Sequence, residues 1–224
     1  MSENKIARDW VKYGTICGLS SASVYIFLNI LTFIPGIDIP EIVIRLGLFS
    51  VGILGVVSIG GSYHLIKKHK NSVLLQMAVL LSLLAFAFLT LMVVLQQANI
   101  KFWQHAHLVS GSKDEINTIY SAIDTIQLGV DLTFDVFYTL AFIFYSILMF
   151  KHPRFGKIFS ISGFVLFSSF LILNMIAFPF PPGSIGLIDI GPLTGIWGII
   201  VSIQSLRSLK WMEEGNPVTH GASN

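Results

Sequence analysis

Residues 73–97 read VLLQMAVLLSLLAFAFLTLMVVLQQ, with no charged side chain in the run. A helix needs about 20 mostly apolar residues to cross the ~30 Å hydrocarbon core of a bilayer, and this stretch exceeds that length. The stretches 14–35, 42–66, 126–150, 157–178 and 191–209 have the same character. The expected fold is therefore all-α, a polytopic membrane helical bundle with six transmembrane helices. It is a single domain over 1–212, with a polar cytoplasmic tail over 213–224. The first stretch is too long for a signal-peptide core and ends in Pro35-Gly36 with no small-x-small cleavage site, so it reads as a true first span.

Composition supports the same reading. Of the 224 residues, 54% are hydrophobic and only 12% charged, about half the ~25% charged share of ordinary soluble domains. Mean hydropathy is +0.76. This apolar content excludes a disordered chain. A net charge of +2, with the basic residues scattered in small groups, excludes a nucleic-acid-binding surface. A lone cysteine, Cys17, excludes a disulfide scaffold and a cysteine-based metal cage, and no cofactor is expected.

Short basic flanks set the orientation of membrane helices, because Lys and Arg are retained on the cytoplasmic side. Lys5, Arg8 and Lys12 precede the first span. Lys67, Lys68 and Lys70 follow the second, Lys151, Arg154 and Lys157 follow the fourth, and Arg207 and Lys210 follow the sixth. The alternate connections hold only Lys101 and Lys113. Both termini are thus expected in the cytoplasm, and the long connection 98–125 outside. Within it, Ser112-Lys113-Asp114-Glu115 has capping-box spacing, and Ile116, Ile119, Tyr120, Ile123 and Ile126 follow at helical intervals. A helical hairpin is expected, with the third helix extended through Lys101–Leu108, a turn at Ser110-Gly111 and a new helix from Lys113.

Asp124, Gln127, Asp131, Asp135 and Tyr138 form one stripe at i, i+3, i+7, i+11 and i+14 of the fourth helix. Asp131 and Asp135 lie inside the span, and a carboxylate at a helix centre costs about 2.5–3.5 kcal/mol on insertion scales. The stripe should therefore face the bundle interior or a wet cavity. Under the expected topology both aspartates lie in the outer half of the membrane. So do Arg45 near the end of the second helix, Asn29 in the first, Gln96 and Gln97 in the third, and Asn174 in the fifth. An outward-facing polar pocket follows, built from Arg45, Asp131, Asp135, Asn29, Gln127, Tyr138 and Asn174. Arg45 is expected to pair with Asp131, leaving the deeper Asp135 protonated, hydrated or bound to a cation.

Other features carry less chemistry. Gly14, Gly18 and Ala22, the pair Gly191 and Gly195, and the glycines of the second helix read as close-packing faces. His105 and His107 beside Trp103 are weak candidates for a metal, which needs further ligands. His64, His69 and His152 fall at basic helix ends, where cations complement helix C-termini. Gly-x-Ser-x-Gly, His-Glu-x-x-His and phosphate-binding glycine loops are absent. Gly129-x-Asp131 is half of an intramembrane aspartyl-protease motif, without the second glycine or a matching aspartate on another helix. No lysine lies in the interior of a span, which excludes a retinal protein.

The run FDVFYTLAFIFYSILMFKHPRFGKIFSISGF from Phe134, with Pro153, Arg154 and Gly156 in its basic loop, resembles the DUF4386-like family of bacterial multi-pass membrane proteins. The start of the second span, Arg45-Leu46-Gly47, and the long connection before the fourth look similar too. This chain has one residue between Pro-Arg and Gly, where the family pattern has two. The resemblance implies a six-pass protein of the bacterial inner (plasma) membrane. It implies no established activity and transfers no site residues.

Two functional readings lead from the residues, and a membrane enzyme, with a metal or lipid between His105, His107 and the pocket mouth, stands third. In one, the pocket binds or passes a small solute, a cation or a lipid headgroup, with a homo-oligomer or membrane partner needed for transport. In the other, the chain is a non-catalytic membrane subunit or sensor, and its intramembrane charges only hold helices in register.

Overall fold

The computed structural model describes residues 3–33, 40–105 and 112–213. They form seven α-helices: α1 (Glu3–Phe33), α2 (Glu41–His69), α3 (Val73–Gln104), α4 (Lys113–Met149), α5 (Gly156–Ala177), α6 (Gly191–Arg207) and α7 (Leu209–Glu213). A 3₁₀ turn, Pro182–Ile185, precedes α6. No strand occurs among the described residues. Helix ends follow local chemistry. Ser72 caps α3 by accepting from the Leu75 amide. Ser112 and Glu115 form a reciprocal capping box at the start of α4, satisfying amides that have no partner within the helix. The turn at Ser110-Gly111 and the tail 214–224 lie outside the described residues.

Five helices, α1 to α5, are long and apolar enough to cross a membrane. Their outward faces carry large apolar side chains in the open, among them Leu46, Val73 and Ile158, as suits a bundle surrounded by lipid. The expected six spans are thus five by this measure. With 17 residues, α6 is about 26 Å long at 1.5 Å per residue, short of the ~30 Å apolar thickness. It stops at Ser208, after which α7 begins.

Successive helices are neighbours, and α6 returns beside α1, closing a ring whose thinnest seam lies between α5 and α6. Small residues allow the close crossings. A Cβ on Gly14 would sit 2.6 Å from the backbone nitrogen of Gly61, and one on Gly55 would sit 2.1 Å from the Phe86 ring. Function is not needed to explain these glycines, since they are where helix backbones and rings meet. Between α4, α5 and α6 an aromatic core packs Phe142 against Phe167 at 4.9 Å and Phe167 against Trp197 at 5.1 Å between ring centroids.

The basic segments gather at one end of the ring. Arg8 pairs with Glu213 at 2.9 Å, Arg154 donates to the Arg207 carbonyl at 3.1 Å, and the Lys68 ammonium lies over the Trp211 ring at 4.7 Å. His152 departs from the expectation of a solvated cation. It is buried, 1% exposed, with its ring 5.1 Å from His69 and 5.3 Å from Trp211. Its Nδ1 accepts from the Arg154 amide at 3.2 Å, and its Nε2 faces the Leu65 carbonyl at 3.4 Å. Burial pushes the imidazole down to about 4, against the pull of that carbonyl, and the nearby charges of His69 and Arg154 push the same way. It is a neutral joint between loops.

Candidate functional site

Inside the ring lies a cavity of about 290 Å³, bounded chiefly by α1, α4 and α6. Its position follows from sequence periodicity. Asp131, Phe134, Asp135, Tyr138 and Phe142 recur at intervals of one, three and four along α4 and all line it. Opposite them, the α6 lining runs from Gly191 to Ser205, about 21 Å of helix. Thr15, Gly18, Ser21, Ala22 and Tyr25 of α1 supply a third wall. The cavity is therefore elongated along the bundle axis. Carboxylates and rings lie towards the end away from the basic loops, and small and hydroxyl side chains (Gly18, Ser58, Ser202 and Ser205) lie towards the basic end.

The aspartates stand where the stripe predicts. Asp131 lines the cavity half-buried, and Asp135, one turn deeper, is 7% exposed. The Asp135 backbone carbonyl accepts from the Thr139 hydroxyl. Its carboxylate has no hydrogen-bond or ion-pair partner among the described residues. Tyr138 and, from α6, Thr194 line the same cavity. Thr194 donates to the Gly191 carbonyl at 2.7 Å. Asn174 also lines the cavity, with its amide donating to the Phe170 carbonyl at 3.0 Å.

Arg45 is elsewhere. Its guanidinium pairs with Glu41, one turn away on α2, and its Nε donates to Gln97 of α3 at 3.1 Å. Glu41 also holds Lys101 at 3.1 Å. The expected Arg45–Asp131 pair is not formed, because Glu41 sits at i−4 on the same helix and needs no interhelical reach. Gln127 is half-buried on α4 but does not line the cavity. The side chain of Asn29 lies outside the described residues, as does His107. His105 is exposed with its Nδ1 at the Lys101 carbonyl, and no group of three metal-ligating side chains occurs among the described residues.

A third carboxylate was not singled out from the sequence. Asp189, just before α6, lines the cavity and accepts from the Gly191 amide at 2.8 Å. It lies within electrostatic reach of both Asp131 and Asp135. A signal for it exists, since Asp189 is the only charged residue between Lys157 and Arg207. Among the described residues, the side chains that line the cavity include three carboxylates and no Lys, Arg or His. Such a site can hold a cation, or protons shared among the acids. It offers no cationic clamp for an anion.

In comparisons with known proteins, no family model, curated protein or solved structure matches the chain.

Proposed function

We propose that this protein binds or passes a small solute or ion at the central cavity, with Asp131 and Asp135 as its polar anchors. The observation that carries this reading is the Asp135 carboxylate. It is buried in a bundle of apolar helices, lines open space, and has no partner among the described residues. A carboxylate kept only to hold helices together is expected to be paired, because the unpaired state costs several kcal/mol. The reading of these charges as purely structural therefore loses its main support.

The proposal includes a topology. Both termini lie in the cytoplasm, since every connection at the basic end carries Lys or Arg. The carboxylate end of the cavity then faces outward. The sixth crossing is made by α6 together with the segment before it and α7 after it, and a short span is accommodated by local thinning of the bilayer. The resemblance of the run from Phe134, whose basic loop departs from the family spacing by one residue, is the ground for placement in the DUF4386-like family and in a bacterial inner membrane. Transport across so small a ring would use a second copy or a membrane partner.

Thiol labelling tests the reading. In a Cys17→Ala background, Asp131→Cys should react with a membrane-impermeant methanethiosulfonate added to the outer face of sealed vesicles. Protection from both faces would mean a sealed interior and would remove the proposal.

A further inference from the structure

We infer that the cavity takes a monovalent organic cation, an alkyl- or arylammonium ion, with the Asp135 carboxylate as counter-ion and the Tyr138 ring beside it. This rests on the proposed solute-binding role of the cavity and adds the class of solute.

Four observations lead there. Among the described residues the lining carries Asp131, Asp135 and Asp189 and no basic side chain, so a bound anion would meet like charge there. Asp135 is more than nine-tenths buried and has no partner among the described residues, so it is the group that gains most from an incoming positive charge. The same wall is aromatic. Phe134 and Tyr138 pack at 5.3 Å and Tyr138 and Phe142 at 4.6 Å between centroids, with Tyr25 and Trp197 across the space. Ring faces attract ammonium groups, most strongly when water is excluded. Finally, no three metal-ligating side chains converge among the described residues, and a hard metal ion needs six or so oxygen ligands around it. Rings beside the acids favour a bulky, weakly hydrated cation. A space of about 290 Å³ equals roughly ten water volumes of ~30 Å³, which suits a small ammonium ion.

The test is equilibrium binding of radiolabelled tetraethylammonium to the full-length protein in lipid nanodiscs. Wild type should bind saturably, and Asp135→Asn should bind at least about tenfold more weakly, a loss of ~1.4 kcal/mol. Asp135→Glu keeps the charge and should stay close to wild type, which guards against misreading a folding defect. Tyr138→Phe keeps the ring and should bind more tightly than Tyr138→Leu, which loses it. Equal affinity in Asp135→Asn and wild type would overturn the inference. So would displacement of the probe by equimolar Na⁺ or Ca²⁺, in favour of a metal site. No saturable binding in a protein whose Asp131→Cys variant is labelled from outside would overturn the solute class and leave the cavity reading standing. Loss of both results would remove both.

Discussion

Arg45 is paired with Glu41 on its own helix, and this pairing holds it away from Asp131 and Asp135. The consequence is an uneven division of charge. Two cations of this half of the bundle, Arg45 and Lys101, are tied to Glu41 at the ends of α2 and α3, while the described lining of the cavity carries acids and no basic side chain. An interior carboxylate pair neutralised by arginine would be a structural device. On the proposed reading, an interior acid with no counter-charge keeps its place for a ligand.

Replacing Arg45 should therefore have little effect on the cavity. Exposed ion pairs contribute about 0–1 kcal/mol, so Arg45→Gln should unfold within that margin of wild type in a thermal melt. Labelling of Asp131→Cys should proceed at an unchanged rate in the Arg45→Gln background. A large change in that rate would place the arginine at the cavity after all.

The crossing of α1 and α2 predicts a contrast between two glycines. A Cβ on Gly14 would lie 2.6 Å from a backbone atom of Gly61, whereas a Cβ on Gly129 meets nothing within 4 Å. Gly14→Ala must push two backbones apart, and overpacking of this kind costs about 1–3 kcal/mol. Gly129→Ala should be neutral or stabilising by up to about 1 kcal/mol, through the helix preference of alanine. Thermal unfolding of the two variants side by side checks both signs.

His152 predicts a pH dependence of stability. Its imidazole is pushed down to about 4 in the fold, from 6.5, so between those values the unfolded chain binds a proton that the folded chain refuses. Its contribution to stability is complete above about pH 6.5 and is lost as pH falls towards 4, a total on the order of 3 kcal/mol. Melting temperatures of wild type should fall across that window more steeply than those of His152→Gln. Parallel curves for the two proteins would show that His152 is not buried neutral.

Much of this architecture is legible in the amino-acid sequence. The stripe from Asp131 to Tyr138 gave the cavity wall because a helix repeats regularly, and Ser112 with Glu115 gave the start of α4 because capping is local chemistry. Arg45 was misassigned for a related reason. Depth in the membrane was legible, but the direction of a long side chain was not, and Glu41 at i−4 competed more easily than an aspartate on α4. Asp189 escaped because it lies outside every apolar run, and only the return of α6 beside α1 brings it to the acids. The sixth apolar stretch runs to 209 while α6 ends at Arg207, because Ser208 is no less compatible with a helix than its neighbours and gives no stop signal. His152 looked like a surface cation in sequence, and only the convergence of the loops with α7 buries it.

The most direct measurement is the thermal stability of Asp135→Asn against wild type, in detergent without added solute. If Asp135 is kept for a ligand, removing its unpaired charge relieves an interior cost, and the variant should melt at the wild-type temperature or above. If Asp135 is part of a structural pair, breaking the pair would cost about 3–5 kcal/mol, and a melting temperature far below wild type would contradict the account.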